Sequence, residues 1–508
     1  MKKIFKIFIA VVLFSVLHSP FSASFAQDAE YNLIRHTYKI NNDGTMDINF
    51  RKEIKLLRNR AITAYADKGE TFILYNPAID QLRINESYTI RKDGSRVQTP
   101  ANAFIDQLPS QCENCGRYNG IRERVVVHTA LEYDCIIVLD YTIRRKTDYV
   151  ATREILNQDC PVKRYEFIVD IAKSKQNNLI SFVYDGNGAK VKSLNDGHTY
   201  HIVATQLPQT YVDRYLPAPE QLYAHVEFTY GHRYVSDSQY DNDKLPEAEN
   251  LITELFENDK VAYMTHIRDY VVDNIITNNI PEELTGYSCA TPSETFRSNC
   301  GTPADKRRLA VALLNQASFV ARLEGNTANV SLTDAGTQRA YRLSLNDKSA
   351  PLPIDADNSM KSTINVNQDL IWSGVSLGAT YNKMTLPSEA GAFKINITRL
   401  APSRKAPLQV RNVNEKYHYT IMTSRTPKKL LVNPIDIQYA KKGIGTIRIC
   451  IKQLSNGLID VVRELELHVD NNIVTPKQYK DFRQMMQDWN QYNSVIIRSD
   501  LGRPIMGN

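Results

Sequence analysis

Cys300 is the residue of this chain best placed to do chemistry. It lies in TPSETFRSNCGTPADKRRLAVALLNQASFVAR, residues 291–322. The stretch reads as two helices with the cysteine at the joint. Thr291 can cap the first, Pro292 suits its first turn, and Glu294 can close a capping box. Ser298 and Asn299 end that piece, and Cys300 stands where the second helix begins. From there Leu309, Ala310, Leu313, Leu314 and Ala317 recur at helical steps. A thiol at a helix start faces the positive end of the helix dipole and unpaired N–H groups, a setting that favours the thiolate. The competing reading is a small buried residue that closes a turn.

Cys112 and Cys115 form a C-x-x-C in the polar loop QCENCG. Zinc would need two more ligands at regular spacing; His128 and Cys135 are nearest, and their spacing is irregular. A thioredoxin-type site would sit at a helix start after a strand, which this loop does not. Structural disulfides are the remaining reading, suited to an oxidising compartment. Seven cysteines leave at least one outside any disulfide within a monomer. No cofactor and no metal are expected.

The segment around Cys300 resembles the nucleophile segment of transglutaminase-like folds, a branch of the papain-like cysteine enzymes. The resemblance rests on Cys300, Gly301, Asp305, Lys306, the run 309–314 and Arg322. It implies a Cys–His–Asp set in which His takes the thiol proton and Asp fixes its tautomer. The strands that would carry the partners fall at residues 340–345 and 352–354. Asp355, in PIDAD, matches the Asp position. The His position falls near Arg339 and is vacant, since no histidine occurs between His266 and His418. Arginine cannot act as a base. His266 reads as a helix residue, and His418 belongs to another domain. The resemblance therefore implies a degenerate core, with Cys300 and Asp355 as its remaining catalytic-type residues.

The elements that must position these residues follow from pattern. Residues 1–26 read as a secretory signal: Lys2, Lys3 and Lys6, an apolar run at 7–17, and Ser24-Phe25-Ala26 before the cut. No later run is long and apolar enough for a membrane helix. Residues 27–240 read as a β-sandwich, with strands at 31–40, 45–56, 83–91, 123–128, 135–144, 165–171 and 179–184. Asp43-Gly44, Asp93-Gly94 and Asp196-Gly197 mark its hairpins. This region resembles a domain of unknown function found ahead of transglutaminase-like cores in Gram-negative envelope proteins. The segments that carry it are 38–55, 90–100 and 140–146.

Residues 241–380 read as the α+β core. Val261, Met264, Ile267, Val271 and Ile275 form one apolar helix face. Residues 381–508 read as a C-terminal β domain, with strands at 394–400, 417–422, 429–432, 445–451 and 458–468. Thr475, Pro476 and Gln478 start a final helix with a capping box, with Tyr479, Phe482, Met486 and Trp489 on one face, and 495–498 read as an edge strand. The fold class is thus α+β multidomain.

Composition bounds the function. The net charge is +6; three of those lysines lie in the first 26 residues, which hold no acid, so the remainder carries +3 without a basic block. That balance gives no sign of nucleic acid as a partner. The expected role is a periplasmic or secreted, non-catalytic scaffold that binds a peptide, a glycan or an envelope protein in the old substrate cleft. An active thiol enzyme (protease, amidase or acyltransferase) with a base recruited from elsewhere is the alternative, and a redox or metal role at Cys112 and Cys115 is a third.

Overall fold

A computed structural model describes residues 28–66, 72–147, 149–232, 239–253, 259–323, 329–334, 340–346, 348, 351–354, 362–372, 382–388, 392–423 and 430–499. The expected signal segment, Arg339 and Asp355 lie outside the described residues. The fold is α+β, with several sheets and few helices.

An eight-stranded sheet dominates the N-terminal part. Its central strands are β1 (Ala29–Ile40), β2 (Met46–Leu56), β3 (Ile136–Arg145) and β4 (Val162–Ile171). From edge to edge the order is Lys190–Asn195, Thr199–Leu207, β4, β1, β2, β3, Asp80–Ile90, Arg96–Gln98. The Asp-Gly turns behave as their chemistry demands: Gly44, Gly94 and Gly197 all hold φ near +83°. The exception to its antiparallel pairing is β1 against β4, which pair in parallel across some 130 residues, Ile34 opposite Tyr165 and His36 opposite Phe167. Two three-stranded sheets make the second layer. One (Val150–Ile155, Leu179–Asp185, His225–Tyr230) packs Phe182, Val226, Phe228 and Tyr230 onto β1 and β4. The other (Phe72–Tyr75, Phe104–Gln107, Arg122–Val126) covers Leu139 and Ile143 of β3.

The middle of the chain is helical. Helix α1 (Lys260–Asn274) buries Met264, Ile267 and Val271 of the face expected of it, while Val261 is exposed at its start and Ile275 is buried just past its end. Helices α2 (Pro292–Ser298) and α3 (Pro303–Gln316) follow. Helix α3 is buried nearly all round, so it is the axis of this core. A four-stranded antiparallel sheet (Phe319–Leu323, Asn329–Asp334, Ala340–Ser344, Leu352–Ile354) leans on it.

The C-terminal part holds a five-stranded sheet built around β5 (Val413–Thr423), β6 (Gly445–Gln453) and β7 (Ile459–Leu467). Ile447, Ile449 and Ile451 share its buried face, as their alternation requires. Helix α4 (Tyr479–Gln491) lays Tyr479, Phe482, Met485, Met486 and Trp489 across the core. Arg463 clamps the end of that helix: it donates to the Trp489 carbonyl at 2.8 Å and stacks on the indole at 4.0 Å.

Three expectations change. Residues 394–400 form no strand but a loop with one tight turn at Ile397–Arg399. Their alternation is real, because Ile395, Ile397 and Leu400 are buried; they plug the core from a loop. Ser494–Ser499 is the centre of a three-stranded sheet, flanked by Asn382–Thr385 and Leu430–Val432, where an edge strand was expected. The Thr475–Gln478 cap pair exists, with Thr475 Oγ1 donating to Gln478 Oε1 at 2.8 Å, but it closes the turn before α4 instead of its first turn.

Gly445 is required by space. Its φ is +149°, and a Cβ there would stand 1.8 Å from the Glu466 carbonyl oxygen on β7. Gly445→Ala is expected to destabilise this domain by about 3 kcal/mol or more. The chain's two tryptophans, Trp372 and Trp489, both belong to this core, so a urea titration followed by fluorescence reads the effect directly. An unchanged midpoint would refute it.

Candidate functional site

Helix α2 is capped as its sequence requires. Thr291 Oγ1 accepts from Glu294 N at 3.2 Å, and Glu294 Oε2 accepts from Thr291 N at 2.8 Å. Asn299, left-handed at φ 52°, ends the helix. Cys300 and Gly301 then pair in parallel with Ile276 and Thr277, so the cysteine sits on a short bridge three residues before α3 starts. Gly301 has no room for a side chain: a Cβ would stand 2.9 Å from Asp305 Cβ and 3.1 Å from Thr295 Cγ2.

Asp305 organises this corner. Its carboxylate accepts from Thr302 N (3.0 Å), Thr302 Oγ1 (2.8 Å), Ala290 N (2.9 Å) and the Tyr118 hydroxyl (2.8 Å). Arg308 Nη1 lies 3.5 Å away. With 2% of its surface exposed, this is a buried anion stabilised by charge-assisted bonds. Burial, then the Asp305 charge, push the Tyr118 hydroxyl well above its usual range, so it serves as a donor. Lys306 is buried beside it and donates to the Ile275 carbonyl (2.9 Å) and Thr277 Oγ1 (3.0 Å). Burial pulls its ammonium below its usual range, with Asp273 opposing. Asp305 and Lys306, two residues of the family-like pattern, therefore hold the start of α3 together.

Cys300 is bonded to Cys115. The link spans 185 residues, with Cα atoms 5.8 Å apart, and joins the N-terminal part to the core. Cys112, Cys115, Tyr118 and Ile121 on one side meet Ile280, Leu284 and Cys300 on the other in one apolar cluster. Polar contacts ring it. Asn278 Nδ2 donates to the Gln111 carbonyl, Arg117 to the Cys289 carbonyl (3.1 Å) and to Glu294 (3.2 Å), and Asn76 to the Leu284 carbonyl (2.7 Å). Tyr287 packs edge-on against Tyr149 at 4.7 Å and accepts from Ala151 N at 3.2 Å.

The disulfide reading of the C-x-x-C holds for Cys115, whose partner is Cys300; Cys112 stays a buried thiol. Among the described residues no group of three or more His, Cys, Asp or Glu side chains is gathered to hold a metal ion. His266 lies on α1, and His418 bonds Asp460 at 2.7 Å in the C-terminal sheet. Pattern reading missed Tyr118 and Cys115 as the partners of Asp305 and Cys300. The one available signal was the odd cysteine count, which carries no pairing information.

Comparison with known proteins bears on this architecture. Residues 42–210 match the family model of a domain of unknown function with a solved structure, DUF3857. Residues 382–497 match that of a second such domain, DUF3858. The chain thus carries two recognised domains without assigned activity, on either side of the Cys300 region. A solved structure described as a "putative protease" from Parabacteroides distasonis ATCC 8503 has the same fold. It is 22% identical with a TM-score of 0.65, and the match covers 93% of this chain and 99% of that one. No curated protein matches the chain.

The Tyr118–Asp305 bond crosses the seam and ends on a buried charge. Tyr118→Phe is expected to cost about 1.5–3 kcal/mol, read as a lower urea midpoint by far-UV circular dichroism. A loss below about 0.5 kcal/mol would show that the seam relaxes around the missing hydroxyl.

Proposed function

We propose that the protein is an exported, periplasmic scaffold. In it a degenerate transglutaminase-like core is held between two β domains, and the molecule binds a peptide, a glycan or an envelope protein, with the contact surface in the C-terminal β domain and not in the core. The observation that carries this reading is the state of Cys300. Its sulfur is tied to Cys115 and the residue is 2% exposed, and a disulfide sulfur has no thiolate with which to attack an acyl carbon. Asp305 and Lys306 are engaged in the hydrogen bonds that cap and anchor α3, which fits a core kept for packing. An open groove of about 820 Å³ between residues 394–398 and α4 supplies a candidate contact surface. Lys394, Asn396, Arg483, Gln484 and Gln487 line it, and such groups suit peptide amides and sugar hydroxyls.

The second reading is a thiol hydrolase or acyltransferase that works with Cys300 reduced, Asp355 as orienter and a recruited base. The likeness in fold to a chain described as a protease favours it.

The oxidised protein and the protein held in mild reductant, assayed side by side, separate the two. Peptidoglycan fragments from digested sacculi and a tryptic digest of casein are the probes, with binding read by anisotropy of labelled pools and turnover by mass spectrometry. Saturable binding without turnover, weakened about tenfold by Arg483→Ala with Gln487→Ala, is the expected result. Turnover that disappears in Cys300→Ser would sink the scaffold reading.

A further inference from the structure

Cys115 stands within bonding reach of two cysteines at once. On one side is Cys300, with Cα atoms 5.8 Å apart. On the other is Cys112, across its own turn: Cys115 N donates to the Cys112 carbonyl at 3.2 Å. A turn closed in that way brings the outer Cα atoms within about 7 Å, and disulfides bridge Cα separations of roughly 4.4–6.8 Å. Cys112 is fully buried, lies in the same apolar cluster as the bonded pair, and is outside any disulfide.

We propose that Cys112, Cys115 and Cys300 form an internal thiol–disulfide exchange site. The Cys112 thiolate attacks Cys115 Sγ, a Cys112–Cys115 bond forms, the Cys115–Cys300 bond breaks, and Cys300 leaves as a thiolate. One S–S bond replaces another, so no oxidant or reductant enters. The proton given up by Cys112 is balanced by the one that Cys300 takes or leaves in solvent.

The surroundings set the resting state and the direction. Burial, then the Glu123 carboxylate, push the Cys112 thiol up from its usual range. At neutral pH it is protonated, and the bond to Cys300 persists. Higher pH or a loosened seam produces the attacking thiolate. The leaving sulfur sits two residues before Thr302, the cap of the fourteen-residue helix α3, where the helix dipole favours an anion. The outcome is a covalent clasp between the N-terminal part and the core that opens without loss of oxidation, and a Cys300 thiol where none stood. This holds whether or not Cys300 then meets a substrate, so its failure and that of the scaffold reading are separate results.

The test uses the mature oxidised protein with iodoacetamide at pH 8.5, no reductant, acid quench, non-reducing tryptic digestion and mass spectrometry. No Lys or Arg lies between Cys112 and Cys115, so their bond closes within one peptide, whereas the resting bond cross-links two. The expected result is alkylated Cys300 appearing in step with the closed Cys112–Cys115 peptide, and at least about tenfold slower in Cys112→Ser. Cys300 that stays unlabelled over about a day, or that labels equally fast in Cys112→Ser, overturns the proposal. Should that variant lose its cooperative melt, the wild-type peptides decide alone: labelled Cys300 without the closed Cys112–Cys115 peptide also overturns it.

Discussion

The covalent bond between Cys115 and Cys300 is the constraint around which the seam of this molecule is arranged. A loop of the N-terminal part and the start of the central buried helix are held together, and the polar groups around the link pair across the joint. Asp305 answers most of the demand. It closes the cap of α3, anchors the backbone at Ala290 and receives Tyr118 from across the seam. The Thr302 N–H, the Ala290 N–H and the Asp305 carboxylate are thereby engaged in holding the joint shut. Each donor lost from a buried charge of this kind costs stability.

How much of this could be read from the chain depended on how local each signal is. The Asp-Gly hairpins, the Thr291–Glu294 box and the apolar stripe of α4 are decided within about ten residues, and they stand as expected. Residues 394–400 misled because alternation reports one-sided burial and nothing about a hydrogen-bonding neighbour. Ser494–Ser499 was misplaced at an edge because its two neighbours lie about 65 and 110 residues upstream. The parallel pairing of β1 with β4 was beyond reach for the same reason. At the site, Cys300, Asp305 and Lys306 could be named, but their partners Cys115, Tyr118 and Ile275 lie at distances over which spacing says nothing.

The fold around the site is shared with a solved structure over nearly the whole length of both chains, whereas the two recognised domains stop short of the residues around Cys300. The β domains therefore carry the clearest sequence signature, and the helical core is recognised through its shape.

The 185-residue span of the disulfide has a consequence for the birth of the protein. A chain made from its N-terminus offers Cys115 a neighbour in Cys112 at once, while Cys300 follows only after roughly 10–40 s of synthesis at about 5–20 residues per second. Thiols can oxidise within seconds. The local, non-native pair is thus the first within reach of any oxidant, and the native bond belongs to a partner that does not yet exist. Correct assembly requires that oxidation wait for the core, or that an early bond be undone when the core arrives.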